Sequence, residues 1–376
     1  MTFYSIITSV IYLIYITINF NLNYKFMLSV KKELFGNHHE QDVYLYTFRN
    51  INGNQIQITN YGGIVHSWIC ADKYGHYNDI LLGCKDFDDY LKDHPYFGCI
   101  TGRYANRIAF GKFSIDGHPF QLTTNLPPNH LHGGFQGLNK KIWNDEISSS
   151  SDSISLILTV ISPHLEEGYP GNLTVKVIYT YNIMNELKIE YFAESDRATP
   201  INLTNHCYFN LSGDQNTDIS DHMLRINAKK ITITDKNLIP TGNFQAVKDS
   251  VFDFTDFRSI AFGLQSDDES IRQAKGYDHN FVLDSGDFYM PAAVAIHNKS
   301  GRRLTVFTDQ PAIQLYTGNW LNNVDGKPSK YRDYAGFCLE TQHFPDSPNH
   351  AHFPDTILRP GIEFYSKTIY KIDLTA

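Results

Sequence analysis

Residues 203–211 (LTNHCYFNL) read as a strand with a histidine at its centre. Side chains alternate between the two faces of a strand, so His206 would share one face with Thr204, Tyr208 and Asn210. A polar face of an antiparallel sheet is commonly exposed to water. A histidine flanked by hydroxyl and amide groups is equally suited to a sugar-binding surface, where it could donate and accept protons near neutral pH. This segment alone leaves both interpretations open.

A second ionisable side chain lies in an apolar segment near the C-terminus. In residues 337–340 (FCLE), strand alternation puts Glu340 on the face opposite Phe and Leu. A carboxylate in such surroundings is costly unless it is paired or used in chemistry. Gln314, in residues 312–315 (AIQL), would also face away from the core, with its amide free to hold a hydroxyl. Taken alone, Gln314 reads as an exposed strand residue.

Polar groups also concentrate in residues 102–108 (GRYANRI) and 277–281 (YDHNF). The planar donor fork of Arg107, beside Asn106, suits either a structural salt bridge or a pair of sugar hydroxyls. Asp278 adds a second carboxylate. Together with Glu340 it could form the carboxylate pair of a glycoside hydrolase.

The His-x-His pair of His130 and His132 raises the question of a metal, because cupin-like barrels hold metals with such pairs and a distant Glu and His. Two glycines follow this pair at once. A second pair, His350 and His352, lies in a loop rich in Pro and Asn. The sequence therefore predicts no metal site.

Short alternating runs rich in Ile, Val, Thr and Tyr recur between clusters of Gly, Asn, Asp and Pro. They predict strands at residues 55–59, 153–160, 173–181, 186–192, 231–234, 303–308 and 313–317. Hairpin turns are expected at residues 182–185 and 298–301, and helical periodicity is confined to residues 86–92 and 256–264. The predicted fold class is all-β, a large single-domain antiparallel β-sandwich with a few short helices.

The N-terminus differs from the rest of the chain. Residues 3–20 are apolar and almost uncharged, long enough for a membrane span or a signal core, but no Lys or Arg precedes them and no clear cleavage site follows. Met27 opens a stretch that reads like a natural protein start. We therefore treat residues 1–28 as an apolar extension, either a signal or anchor or the product of an upstream start codon, and residues 29–376 as one domain.

Composition and net charge limit the kinds of partner that we expect the protein to bind. The hydrophobic share of 42% and the aromatic share of 14% are sufficient for a substantial core. A net charge of −8 without a long basic run offers little attraction for nucleic acid or anionic lipid, so a neutral small molecule fits better. The five scattered cysteines, with no CxxC pair, predict buried thiols in a reducing, cytoplasmic compartment. Secretion or membrane anchoring through residues 3–20 is the alternative.

Six motifs together resemble one family. They are GRYANRI, NHLHGG, NLTNHCYFNL, YDHNFVL, QPAIQLYTGN and GFCLETQHFPDSPN. In this order they resemble the aldose 1-epimerases (galactose mutarotases), from about Lys31 to the C-terminus. The resemblance implies the galactose mutarotase-like supersandwich, a large antiparallel β-sandwich with an open cleft. It also implies an isomerase of hexose metabolism that interconverts the α and β anomers of free hexoses such as D-galactose and D-glucose.

The resemblance assigns roles to matching positions. It makes Glu340 the general base and His206 the general acid. The residues that would hold the sugar are Asn106, Arg107, His132, Asp278 and Gln314. It implies no metal and no organic cofactor. The expected partner is a small aldose, without nucleic acid, and with membrane contact only if the N-terminal segment is real. We expect a monomer.

Two other functions remain open at this stage. Mutarotation predicts that Glu340 faces His206, whereas hydrolysis predicts that Glu340 and Asp278 face each other across a glycosidic bond. A non-catalytic sugar-binding protein would still bind its ligand after the substitution Glu340→Gln.

Overall fold

The computed structural model of the protein describes residues 28–284, 288–327 and 329–375. The extension expected at residues 1–28 lies outside these ranges except for Leu28, the first residue of the first strand. Within the described ranges, no helix combines the length and the apolar character that a membrane span requires.

Strands dominate the described residues. In the first half of the chain they are β1 (Leu28–His38), β2 (Gln41–Asn50), β3 (Gln55–Thr59), β4 (Val65–Ala71), β5 (Tyr77–Asp79), β6 (Ile100–Thr101), β7 (Arg107–Ile108), β8 (Lys112–Ile115), β9 (His118–Gln121), β10 (His130–Leu131), β11 (Asn144–Ser149), β12 (Ser153–Ser162), β13 (Leu173–Asn182) and β14 (Glu186–Ser195). In the second half they are β15 (Thr199–Pro200), β16 (Thr204–Asn205), β17 (His222–Ile226), β18 (Ala228–Thr234), β19 (Pro240–Ala246), β20 (Arg258–Ser259), β21 (Asp278–Leu283), β22 (Ala293–His297), β23 (Arg302–Thr308), β24 (Ala312–Tyr316), β25 (Cys338–Gln342), β26 (Ile357–Leu358) and β27 (Phe364–Leu374).

Helices are few and short. The α-helices of the described residues are α1 (Phe87–Tyr90) and α2 (Glu269–Ala274). Single turns of 3-10 helix lie at Ala109–Gly111, Leu138–Lys140, Glu166–Gly168, Ile260–Gly263 and Ser347–Asn349.

The largest sheet has nine antiparallel strands in the order β11-β12-β13-β14-β27-β23-β22-β17-β20. Strand β13 shows why it forms, since Val175, Val177, Tyr179 and Tyr181 are buried while the residues between them are exposed or half-buried. Alternation of this kind gives a sheet one apolar face, which must pack against another layer.

Two five-stranded sheets cover that face, in the orders β1-β2-β3-β4-β5 and β19-β18-β21-β24-β25. One continuous core draws side chains from all three sheets, for example Trp68, Val177 and Leu339. Hydrogen bonds tie the layers together: the Tyr179 hydroxyl donates to the carbonyl of Gly63 at 2.5 Å, and the Tyr370 hydroxyl donates to the carbonyl of Leu339 at 3.0 Å. The predicted all-β antiparallel sandwich is confirmed.

The strand predictions match the observed elements closely. Each of the seven predicted strands overlaps an observed one, namely β3, β12, β13, β14, β18, β23 or β24. Both predicted hairpin turns join neighbouring strands, residues 182–185 between β13 and β14 and residues 298–301 between β22 and β23. Gly301 has a φ of +75°, a conformation that favours glycine.

The prediction of one continuous strand over residues 203–211 is wrong. Only Thr204–Asn205 is strand, paired with β6. The Asn205 side chain accepts a hydrogen bond from the backbone N–H of Cys207 at 3.2 Å and donates one to the carbonyl of Gly98 at 2.8 Å. These side-chain bonds occupy backbone groups that could otherwise pair within the sheet, and the strand ends before His206.

The same segment is also not exposed to water. Its polar side chains are at most 4% exposed, namely those of Thr204, His206, Tyr208 and Asn210. Because loops cover this part of the molecule, the water-exposed interpretation of the polar face is wrong. All five cysteines are buried and none forms a disulfide, which confirms the prediction of buried thiols.

The helical predictions are confirmed only in outline. Residues 86–92 contain α1, and residues 256–264 contain β20 and the turn Ile260–Gly263. Helix α2 was missed, although its N-terminal signal is clear. The Asp268 side chain caps it by accepting hydrogen bonds from the backbone N–H groups of Ser270 and Ile271.

Buried histidines should make the fold sensitive to mild acid. Burial lowers the pKa of His66 to about 3 and the pKa of His130, His206 and His279 to about 4, against an ordinary value of 6.5. Between pH 6.5 and pH 4 the unfolded chain therefore binds protons that the folded protein does not, so stability falls as the pH falls. Each such histidine should cost about 1.4 kcal/mol of unfolding free energy at about pH 5.5. Urea unfolding at about pH 7.5 and about pH 5.5 measures this loss.

A matched pair of variants identifies the source of the loss. His66→Gln can still accept a hydrogen bond at the position where the ring of His66 meets the Tyr90 hydroxyl at 2.9 Å, but it cannot titrate. It should reduce the pH dependence, while His118→Gln at an exposed position should leave it unchanged. Equal unfolding free energies at the two pH values in the unsubstituted protein would show that the argument is wrong.

Candidate active site

Three adjacent strands form the floor of a cleft. In β21, β24 and β25 the register places Asn280 beside Gln314 and Gln314 beside Glu340. One step along the strands, Asp278 lies beside Tyr316, and Tyr316 beside Cys338. Because side chains two residues apart share a face, these groups form a polar grid on the side of the sheet that faces away from the sandwich core.

Asp278 is the charged centre of this grid. Its Oδ1 accepts a hydrogen bond from the Gln314 amide at 2.6 Å, and its Oδ2 accepts one from the Arg107 guanidinium at 3.0 Å. Burial favours a raised pKa for Asp278, but the Arg107 charge and the Gln314 bond outweigh it, and the pKa lies below its ordinary value. Asp278 is therefore a carboxylate with both oxygens engaged. Gln314 is 2% exposed, so its interpretation as an exposed strand residue is wrong.

Arg107 reaches the cleft from the short strand β7, and His132 from the turn directly after β10, the strand that pairs with β7. The Asn106 side chain accepts a hydrogen bond from the Arg107 backbone N–H at 2.8 Å, and the Asn106 backbone N–H donates to His132 Nδ1 at 3.1 Å. Since Nδ1 accepts, a neutral His132 carries its proton on Nε2. Burial, with the neighbouring charges of His206 and Arg107, lowers the pKa of His132 well below its ordinary value.

Glycine at position 133 allows the chain after His132 to lie against the backbone of Gly102. Gly133 has a φ of +90°, and a Cβ atom there would lie 1.8 Å from the carbonyl oxygen of Gly102. No other residue fits without moving the backbone, which explains why the histidine is followed by glycine.

His206 and Glu340 meet at the base of the cleft. His206 Nε2 lies 3.6 Å from Glu340 Oε1, and the two side chains are 5% and 3% exposed. The His206 ring stacks on Tyr208 with a centroid distance of 5.0 Å and meets the edge of His132 at 5.2 Å. These contacts hold the imidazole in one plane beside the carboxyl group.

Burial shifts the pKa values of this pair in opposite directions. It raises the pKa of Glu340 well above its ordinary value, and the charge of Asp278 adds to the effect while Arg107 opposes it. It lowers the pKa of His206 to about 4. The pair therefore holds one proton near neutral pH, and burial favours the state in which both groups are neutral.

A cavity of about 320 Å³ opens above this pair, within the size range of small-molecule sites. Of the seven residues predicted to form the site, it is lined by Asn106, Arg107, His132, His206, Asp278 and Glu340. Gln314 is not part of the cavity wall, but its amide donates a hydrogen bond to Asp278, which is. The structure thus brings all seven together from six separate segments.

The cavity wall includes aromatic residues that sequence analysis did not select. Tyr96, Tyr316 and Trp320 line it beside Tyr208, which sequence analysis had placed on the same face as His206. Strand parity could have identified Tyr316, because it lies two residues after Gln314 on the same face. Tyr96 and Trp320 lie outside strands, where no periodicity marks them.

The pair of His130 and His132 is not a metal site. The two ring nitrogens of His130 are engaged, one with the carbonyl of Thr123 and one with the Tyr169 hydroxyl, both at 2.7 Å. His132, His206 and Glu340 offer ligand atoms within 4.8 Å of one another. Sequence analysis predicts a part for each of these three residues in acid–base chemistry or in sugar binding.

Together, the fold and the cleft define a class of protein, an all-β protein with a small polar cavity at whose base an imidazole and a carboxyl group lie side by side. The comparisons with known proteins agree with this class. The family model described as aldose 1-epimerase matches residues 44–371. The chain belongs to the aldose 1-epimerase family and is an isomerase of the epimerase class.

Individual relatives support the assignment across almost the whole length. The galactose mutarotase of Rattus norvegicus is 40% identical over 321 residues, covering 85% of this chain and 91% of the relative. The aldose 1-epimerase of Escherichia coli (strain K12) is 36% identical over 331 residues, covering 87% and 94%. The crystal structure of galactose 1-epimerase from Lactobacillus acidophilus NCFM matches with a TM-score of 0.83 and 29% identity, covering 93% and 100%. The family, fold and enzyme class predicted from sequence are confirmed.

The raised pKa of Glu340 leads to a prediction about Asp278. Asp278→Asn removes the negative charge that raises the pKa of Glu340 and leaves Arg107, which lowers it. The pKa of Glu340 should therefore fall while remaining above its ordinary value, because burial is unchanged. Infrared difference spectra follow the carbonyl stretch of the protonated carboxyl group through a pH titration.

Glu340→Gln serves as the control, because it removes the band and so assigns it. A titration midpoint that stays the same or rises in Asp278→Asn would show that the two carboxyl groups are not electrostatically coupled.

Proposed function

We propose that this cavity interconverts the anomers of free aldohexoses, D-galactose and D-glucose among them, with Glu340 as general base and His206 as general acid. One observation carries the proposal, the distance of 3.6 Å between His206 Nε2 and Glu340 Oε1 at the cavity floor. The anomeric hydroxyl and the ring oxygen are bonded to the same carbon. An acid and a base that serve these two oxygens must therefore stand side by side.

The proton steps are these. The Glu340 carboxylate takes the proton of the anomeric hydroxyl, the C1–O5 bond breaks as the carbonyl forms, and the ring oxygen takes the proton of the His206 imidazolium. Rotation about C1–C2 then presents the other face of the aldehyde. Both residues reverse their roles on ring closure, so the pair holds one proton before and after the reaction.

Burial assists the opening step. Before the step the pair is an ion pair, and after it both groups are neutral. Since burial penalises charged forms, the neutral arrangement gains stability as the ring opens. The opposite pKa shifts of His206 and Glu340 express this preference.

We assign sugar binding to the five remaining predicted residues, Asn106, Arg107, His132, Asp278 and Gln314. His132 is a neutral donor through Nε2, because its Nδ1 is occupied by Asn106. Arg107 and Gln314 both bond to Asp278, so the three present a fixed set of donors and acceptors. Fixed polar groups orient a hydroxylated ring at little entropic cost. An aromatic wall, including Tyr208, would cover the apolar face of the sugar.

The glycosidase alternative is weaker on these contacts. A hydrolase needs two carboxyl groups free to act on either side of a glycosidic bond. Asp278 is not free, because its oxygens are bound by Arg107 and Gln314, and the partner nearest to Glu340 is an imidazole.

The state of the cysteines bears on the cellular compartment of the protein. Five buried, unpaired thiols support a reducing compartment, and we propose the cytoplasm. All seven site residues come from one chain, which supports a monomer acting in hexose metabolism on a small aldose.

The proton-transfer roles are tested by two isosteric substitutions. Glu340→Gln and His206→Asn remove the titrating groups while keeping similar shapes, so each should lower kcat by roughly a hundred- to ten-thousand-fold. Polarimetry of freshly dissolved α-D-galactose and α-D-glucose, with and without the purified full chain, measures the rate.

Matched controls are Glu194→Gln and His118→Asn, which make the same changes at exposed positions and should retain the original rate. If either active-site variant equilibrates the sugar as fast as the unsubstituted protein, that residue does not transfer the proton. Sugar binding without faster mutarotation in any form would instead indicate a binding protein.

A further inference from the structure

The second nitrogen of His206 has an unusual partner. While Nε2 faces Glu340, Nδ1 lies 3.5 Å from the sulfur of Cys338. A backbone hydrogen bond within His206 itself also acts on the ring and opposes the lowering of its pKa. Imidazoles that act as acids or bases in enzymes usually bond to a carboxylate or a carbonyl through the nitrogen remote from the substrate. Here a thiol lies beside that nitrogen.

The geometry of β25 explains the arrangement. Cys338 and Glu340 are two residues apart on one strand, so their side chains point to the same face about 7 Å apart along the chain. The imidazole spans that gap, with one nitrogen toward each side chain. A single strand thus fixes both ends of the ring.

We propose that Cys338 is a positioning residue whose sulfur accepts from Nδ1–H of His206, so that Nε2 is the nitrogen that gives up and takes back the transferable proton. The inference rests on the proposed role of His206 as the general acid. Cys338 is absent from the cavity wall and is fully buried, so it acts through His206 and not on the sugar.

The thiol can do this because it stays protonated. Burial raises the pKa of Cys338 well above its ordinary value, and the charge of Glu340 adds to the effect. Once the imidazolium has given its Nε2 proton to the ring oxygen, the neutral ring keeps its proton on Nδ1, and the sulfur of the uncharged thiol accepts from it. When His206 is protonated, the same sulfur accepts weakly from Nδ1–H.

A weak acceptor suits an acid that must release its proton. A carboxylate beside Nδ1 would stabilise the imidazolium strongly, whereas sulfur stabilises it little. The other titratable groups around His206 are Asp278 and Glu340, His94 and His132, and the hydroxyls of Tyr96, Tyr208 and Tyr316. Of the titratable side chains around His206 in the described residues, Cys338 is the one with a hydrogen-bond contact to Nδ1.

The test compares Cys338→Ala with Cys338→Ser in the full chain. Both remove the sulfur, but only serine retains a γ atom, a hydroxyl that can accept from Nδ1–H. In the alanine variant kcat should fall roughly three- to tenfold with KM unchanged, and in the serine variant kcat should recover to within about twofold.

The pH profile of kcat separates positioning from packing. Its acid limb reports protonation of His206. Hydroxyl oxygen accepts better than sulfur, so the limb should lie at higher pH in the serine variant and at lower pH in the alanine variant than in the unsubstituted protein. Nitrogen-15 NMR of the neutral His206 ring should show the Nδ1–H form with cysteine or serine and a mixture with alanine.

Two controls complete the design. Cys70→Ala removes a buried thiol from the first five-stranded sheet and should leave kcat and its pH profile unchanged. His206→Asn, measured in parallel, tests the acid role itself.

Equal losses in the alanine and serine variants, with an unmoved acid limb, would overturn the proposal in favour of packing. An inactive His206→Asn with an unaffected Cys338→Ala would overturn it while leaving the acid role intact. A fully active His206→Asn would instead remove the acid role on which it rests.

Discussion

The burial of one carboxyl group beside one imidazole is the constraint on which the active site depends. Glu340 and His206 are almost entirely withdrawn from water and share a single proton near neutral pH. In water the charged arrangement would dominate, with little tendency to change. In this cleft burial opposes the charges, so the two arrangements of the proton are brought closer in energy.

The rest of the structure maintains that withdrawal. The apolar face of the nine-stranded sheet packs against the five-stranded sheet that contains Glu340. The Tyr370 hydroxyl donates a hydrogen bond to the carbonyl of Leu339, the residue before Glu340. Arg107 neutralises Asp278, which would otherwise be a second uncompensated negative charge beside the pair. A site built on three hydrogen-bonded strands keeps these distances better than loops would.

Sequence patterns predicted most of the fold and the composition of the site, because alternation reports burial directly. It failed for residues 203–211, where the side chain of Asn205 bonds to the backbone and ends the strand after two residues. It also misplaced Gln314, since a strand face reads as exposed when the loops that cover it lie far away in sequence. The same limit hid Tyr96 and the contact between Cys338 and His206, which join segments separated by more than a hundred residues.

A reversible isomerisation adds a requirement that a one-way reaction lacks. The acid of ring opening is the base of ring closure, so strong stabilisation of either protonation state slows one direction. The surroundings of the pair satisfy this requirement from both sides. Burial makes Glu340 a stronger base and His206 a stronger acid, while the side chain that contacts the remote nitrogen of His206 is an uncharged thiol. The weakness of that contact is therefore consistent with an acid and a base that must exchange roles within each turnover.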